Sequence, residues 1–355
     1  MILTAKMDHN TLAVVSQSGE SLSFFDLLTG KRTNHLADLT KEPHELQLDP
    51  RTNLLYVTHT YEHGMYGNHG EYSHDISVID CANGQNIIDT IDVSPYKGPH
   101  GMALDQTHNI LYASVEGGIS GSEAGGGIIG IDLKTRKVIK AIGSGHYSHW
   151  FVMTLDGKKA YTCNKEADYI SVIDLQDEKM VGRIEMEGGC EQPGISKDSR
   201  RAFFPNPTLS MKGPATGTYI KVVDTTIDKI VDSIPLDRGA LCVHVDAQDR
   251  LLVGQYSISF GRAGERPVPS NGKLLILASH NQGFSKLGEV EVGLMSLTIF
   301  SSPDGKRAFV SNIFAGTVTV IDMSAMKVER TLEVDTVKRE DKYLHQGAHG
   351  LALVP

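Results

Sequence analysis

A short two-strand phrase recurs seven times along the chain, and few folds can accommodate that. His44-Glu45-Leu46-Gln47-Leu48-Asp49 leads into Leu54-Leu55-Tyr56-Val57, and His100-Gly101-Met102-Ala103-Leu104-Asp105 leads into Ile110-Leu111-Tyr112. His149-Trp150-Phe151-Val152-Met153 leads into Ala160-Tyr161-Thr162. Glu191, Leu241, Leu297 and His349 open the other four copies, and successive openings lie 42 to 56 residues apart. Apolar runs of strand length separated by turn residues, with no helical spacing, exclude a helical solenoid.

Each unit supplies four strands. The first two are joined by tight turns such as Asp156-Gly157 and Pro303-Asp304-Gly305, which suit hairpins. The third ends on an apolar-apolar-Asp signature: Val78-Ile79-Asp80, Gly130-Ile131-Asp132, Val172-Ile173-Asp174, Val222-Val223-Asp224 and Val320-Ile321-Asp322. The two ends complement each other. The chain finishes with one first strand, Gly350 to Val354, and begins with three strands that lack one: Thr11 to Val15, Leu22 to Asp26 and Lys31 to Leu36. The expected architecture is an all-β, seven-bladed β-propeller formed by residues 1–355 as one domain, its last blade closed by N-terminal strands plus the C-terminal strand. Such closure removes exposed sheet edges.

Leu55-Tyr56-Val57-Thr58 with Ser77-Val78-Ile79-Asp80, and Ala308-Phe309-Val310-Ser311-Asn312 with Thr319-Val320-Ile321-Asp322, resemble the YVTN repeat of seven-bladed propellers. The resemblance spans the chain and implies the fold. It does not select a function, because such propellers include lactonases, dehydrogenases, lyases and binding scaffolds.

Composition narrows the partners. The formal charge is −9 and no Lys/Arg cluster stands out, which argues against nucleic acid or an anionic membrane as the main partner. No apolar run is long enough to span a bilayer. Met1 to His9 lacks the pattern of a signal peptide, and a cytoplasmic location is expected. Cys81, Cys163, Cys190 and Cys242 are scattered without a CxxC spacing, and reduced, mostly buried thiols are expected. A monomer or weak homo-oligomer acting on a small-molecule substrate fits these features.

Register equivalence indicates where chemistry would sit. The residues opening the innermost strands should meet at one mouth of the central channel. His349, His44, His100, His149 and Glu191 then come from five consecutive blades, with Leu241 and Leu297 completing the ring. Neutral imidazoles with a carboxylate suit a divalent metal, so His44, His100, His149 and His349 are the expected metal ligands and Glu191 a catalytic base or further ligand. The His/Tyr-rich loop from His59 to His74 supplies His59 and His63 as candidate acid–base residues and Tyr61 as a substrate contact. Rim positions add Asn164, Asn206, Tyr256 and Asn312 as substrate-binding candidates, with Gln17 beside them. Further long loops are expected at 116–127, 205–218 and 255–271, on the face where function usually sits. Trp150 reads as inter-blade core.

These features point first to a metal-dependent enzyme moving protons on a small organic molecule, by elimination, isomerisation or cyclisation. A lactonase-type hydrolase and a non-enzymatic protein-binding scaffold are the alternatives.

Overall fold

The structure is a computed structural model that describes residues 10–37, 39, 42–63, 70–164, 167–206, 218–259, 268–280, 283–338 and 345–355. Among the described residues the strands form seven four-stranded sheets, each antiparallel throughout. Blade 1 comprises Glu42–Asp49, Leu54–Tyr61, Asp75–Asp80 and Asn86–Asp92. Blades 2 to 6 follow in chain order, opening with Lys97–Asp105, Ser148–Met153, Gly194–Ile195, Ala240–Val245 and Ser296–Ser301. Blade 7 joins the ends: Leu351–Val354 pairs with Thr11–Ser16, in register Leu12 to Leu353 and Val14 to Leu351. Backbone bonds from Val15 N to Gly350 O (3.2 Å) and His349 N to Val15 O (2.9 Å) extend that seam to the mouth.

The period-two alternation of a strand explains the ring. Leu12 and Val14 pack against Phe309, Val318 and Val320 of blade 6. The alternate residues Ala13 and Val15 pack against Leu55, Val57 and Ile79 of blade 1. In blade 2, Leu111, Ala113 and Val115 face Tyr56, Ile76 and Val78, while Ile110 and Tyr112 face Phe151, Ala160 and Ile173. An inner strand is therefore apolar on both faces and needs a neighbour on each side. The outer strands need none: Asn86–Asp92, Lys229–Pro235 and Lys327–Glu333 are largely exposed.

The recurring third-strand Asp is a turn cap. Asp80 accepts the backbone N–H groups of Ala82 and Asn83, both at 3.0 Å, and Asp322 those of Ser324 and Ala325 at 2.7 and 3.0 Å. Asp174 likewise accepts from Gln176 and Asp177 at 2.9 Å. These bonds close the reversal into the fourth strand.

Two blades depart from the expected plan. The stretch expected as an open loop at 255–271 is in part a ladder, with Ser257 opposite Ser270 and Ile258 opposite Pro269; residues 260–267 lie outside the described residues. In blade 4 the first strand shrinks to Gly194–Ile195. Most of the expected loop at 205–218 and residues 64–69 of the first loop also lie outside the described residues. No helix among the described residues is long and apolar enough to cross a membrane.

The expectation of reduced cysteines is corrected for one pair. Cys163 and Cys190 form a disulfide with Cα atoms 5.4 Å apart, whereas Cys81 and Cys242 are free and buried. The register brings together two residues that lie 27 apart in the chain, and their spacing alone carries no such signal.

Two outcomes follow from this architecture. Hydrogen bonds received chiefly from Asn83, Thr135, Asp177, Thr226 and Ala325 hold the carboxyls of Asp80, Asp132, Asp174, Asp224 and Asp322 below their usual range. A depressed folded value adds stability above the unfolded value, near 4, that is lost as pH falls through it. Thermal midpoints should be flat near neutrality and fall below pH ~4. Asp132→Asn with Asp322→Asn, which keep the acceptor, should shallow that acid limb. At the closing seam, Leu353→Ala should lower the unfolding free energy by roughly 2–4 kcal/mol in denaturant titration. Val328→Ala on the exposed outer strand of blade 6 should change it by less than ~0.5 kcal/mol.

Candidate functional site at the channel mouth

The five polar residues expected at the mouth do come together. His349, His44, His100 and His149 form a row of side-by-side rings. Centroids are 4.3 Å apart between His349 and His44, 4.3 Å between His44 and His100, and 3.9 Å between His100 and His149. Each ring comes from a different blade, so the row crosses three blade seams. All four imidazoles are at least nine-tenths buried.

The packing between first strands explains this proximity. A Cβ on Gly350 would lie 2.5 Å from the His44 carbonyl oxygen, and one on Gly101 would lie 3.3 Å from that of His149. The small residue after His100 and His349 lets the next blade's backbone approach closely. Gly350 N donates to His44 O at 3.1 Å, locking one such contact.

Each end of the row meets a carboxylate. Glu191 Oε2 lies 3.0 Å from Nδ1 of His149, and Glu45 Oε1 lies 3.0 Å from Nδ1 of His349. Both carboxylates are buried. Burial pushes the Glu45 carboxyl above its usual range, and the nearby His349 and His149 only partly offset this. Two imidazolium rings this close would repel each other.

Glu45 is a site residue that sequence reasoning missed. Its signal was positional: Glu45 stands where the other two His-opening blades with this turn, His100-Gly101 and His349-Gly350, carry glycine. Glu116, fully buried at the end of its strand, is another. It accepts the hydroxyl of Tyr61 at 3.0 Å, and the Tyr61 ring lies 6.2 Å from that of His44. Burial and the Glu116 charge push the Tyr61 phenol well above its ordinary range. Trp150, expected as core, does pack in the seam between blades 3 and 4, and its edge also meets His100 at 5.2 Å.

Apart from His63, the remaining expected residues are engaged by groups of their own or the adjacent blade. His59 Nε2 lies 2.8 Å from the Ser77 hydroxyl inside blade 1, and His63 is exposed. Asn164 donates to Tyr169 O and Ser171 Oγ, and Asn312 donates to Thr317 and Thr319 while accepting Gly293 N–H. Asn206 donates to the Glu187 carbonyl and the Tyr219 hydroxyl. Gln17 donates to the buried Glu42 at 3.2 Å. Tyr256 packs with Leu241, Met295 and Ile313, with Leu297 and Phe314 against them. The mouth thus has a polar arc on blades 7, 1, 2, 3 and 4 and an apolar arc on blades 5 and 6.

A metal shared by the four imidazoles would need their nitrogens to converge. Among the described residues no three His, Cys, Asp or Glu side chains form such a group. Along the row, neighbouring ring planes are inclined by 45° between His349 and His44, 66° between His44 and His100, and 53° between His100 and His149.

No family model matches this chain, and no curated protein matches it. Solved structures do. A protein of unknown function from Desulfotomaculum acetoxidans is similar at a TM-score of 0.72 and 12% identity, over 97% of this chain and 99% of that one. The periplasmic gluconolactonase of Pseudomonas aeruginosa is similar at 0.70 and 15%, with the same coverages of 97% and 99%. Hydrazine synthase of Kuenenia stuttgartiensis is similar at 0.61 and 16%, over 79% of this chain and 77% of that one. At these identities the likeness establishes the fold, a seven-bladed β-propeller, and nothing finer.

Proposed function

We propose that this propeller is an enzyme that moves protons on a small organic molecule at the channel mouth, with its imidazole row as the acid–base device. One observation carries the reading: two buried carboxylate–imidazole pairs, Glu191 with His149 and Glu45 with His349, terminate a row of four rings. Clustered buried titratable groups are costly to fold around and mark functional sites. The two pairs suit opposite tasks. The Glu191 carboxylate stabilises positive charge forming on His149 as that ring takes a proton. At the other end, Glu45, raised above the usual carboxylate range by burial, is suited to hold a proton and release it to a developing oxyanion.

Hydrolytic opening of a cyclic ester is the reaction that uses both tasks. His149 removes a proton from water as the water oxygen bonds to the ester carbonyl. The carbon–oxygen bond of the ring then breaks, and the leaving alkoxide takes a proton from the Glu45–His349 end. The product is one hydroxy acid, with the atoms of lactone and water conserved. Similarity to a periplasmic gluconolactonase along nearly the whole chain supports this reading over elimination or isomerisation. Each step uses only the acid–base groups of the chain itself.

Two measurements test this. Purified protein should release acid from small lactones in a pH-stat assay, with turnover unchanged after chelation. Glu191→Gln and His149→Ala should each lower kcat by about 100-fold or more. Stoichiometric metal that is lost in His100→Ala together with activity would replace the acid–base reading with a metal-centred one. Independently of substrate, a raised carboxyl contributes stability that is full below its unfolded value, near 4, and lost as pH rises through the folded one. Glu45→Gln removes that loss, so its thermal midpoint relative to the native protein should climb between pH 4 and pH 8. A difference that stays flat or falls would contradict the burial argument.

A further inference from the structure

We propose that the Cys163–Cys190 disulfide positions Glu191 against His149. This inference rests on the acid–base reading for its catalytic consequence, but its geometry stands without it.

His349 and Glu191 both precede the first strand of their blades, but His349 N still donates to Val15 O of its own blade at 2.9 Å, whereas pairing in blade 4 begins three residues past Glu191. His44, His100 and His149 lie within the paired first strands of their blades. Glu191 lies outside any strand, because pairing in blade 4 begins only at Gly194, opposite Phe203. The chain before it turns through Gly188 and Gly189, both at positive φ. The carboxylate that terminates the imidazole row is thus carried on a segment its own sheet does not hold.

Neighbouring blades hold it instead. On one side, Gln192 N donates to Leu241 O at 3.0 Å and Val243 N donates to Gln192 O at 3.1 Å, a parallel bridge to blade 5. On the other side is the disulfide. Cys190 directly precedes Glu191, and Cys163 lies on the second strand of blade 3. That strand pairs with the one carrying His149: Ser148 faces Asn164 and Phe151 faces Thr162, leaving His149 and Trp150 in the irregular register beside Cys163. The covalent bond and the Glu191–His149 contact therefore tie the same two blades, one residue apart along blade 4. A link so placed fixes the distance of the carboxylate from the imidazole.

The burial of the pair agrees with this role. Cys163 is fully buried, Cys190 is 4% exposed, and both pack with Trp150, Tyr161 and Phe204. The bond sits in the seam rather than on an exposed loop.

The test uses the intact chain and reads the imidazole itself. Thiol counting on protein purified without reductant should find Cys163 and Cys190 oxidised; two free thiols there would overturn the proposal at once. The His149 ring resonance is then compared by NMR in the native protein, in Glu191→Gln and in Cys163→Ser/Cys190→Ser. The cysteine variant should move that resonance in the same direction as Glu191→Gln, by at least about half as much. Combining the two changes should add little, as for groups acting through one contact. A second variant, Cys163→Val/Cys190→Ala, keeps the seam apolar and should give the same shift. A folded cysteine variant whose His149 resonance stays in place shows a bond that staples the blades only, and sinks the proposal. So does failure of both cysteine variants to fold, since the bond would then serve the whole seam. With an assayable substrate, the cysteine variants should lose about tenfold in kcat with KM changed less than twofold and should take on the pH profile of Glu191→Gln. These ring shifts in a protein that opens no lactone would remove the reaction assigned above and leave the positioning role standing.

Discussion

A sheet that is apolar on both faces has to be covered twice, and the whole molecule follows from that requirement. Leu12 and Val14 commit one face of their blade to blade 6, while Ala13 and Val15 commit the other to blade 1. The same division recurs at Leu111 and Tyr112 of blade 2. Seven such commitments close on themselves, so burial of apolar surface sets the circle and delivers the first residues of the inner strands to one opening. The imidazole row is a by-product of this packing: the seams that bury Leu and Val also bring His44, His100, His149 and His349 into ring contact.

The legible part of the fold was what repeats. Strand count, blade boundaries and the closing of blade 7 by both termini could be read from the alternation and from the Asp that recurs at third-strand ends, as at Asp80, Asp132, Asp174, Asp224 and Asp322. The meeting of four imidazoles and Glu191 was legible for the same reason, since register equivalence is geometry. What was not legible was what breaks the repeat. Glu45 replaces a glycine, and its pairing with His349 needed the seam between blades 7 and 1. The disulfide joins Cys163 to Cys190 through a register that only the assembled blades supply. The rim amides Asn164 and Asn312 looked like ligand contacts, yet backbone and hydroxyl groups at the strand ends claim their hydrogen bonds. Sequence position brought these amides to the mouth, while local hydrogen-bonding demand turned them inward.

The electrostatics of the mouth are those of a closed set. Buried carboxylates and imidazoles balance one another within a few ångströms, and Glu45 draws its compensation from His349 and His149. In such surroundings a charge created during a reaction is felt strongly, because little water remains to screen it. The apolar arc of Leu241, Tyr256, Met295 and Ile313 on the opposite side contributes to the same low-dielectric setting.

The pairing of residues 11–16 with residues 351–354 also governs the order in which the molecule can be built. Every other sheet is assembled from segments adjacent in the chain, whereas this one spans almost its full length, the slowest type of contact for a polymer to make. Two cores, on either side of blade 7, and the His349 end of the imidazole row wait for that final junction. Folding speed and completion of the chemical centre therefore hang on the same late event.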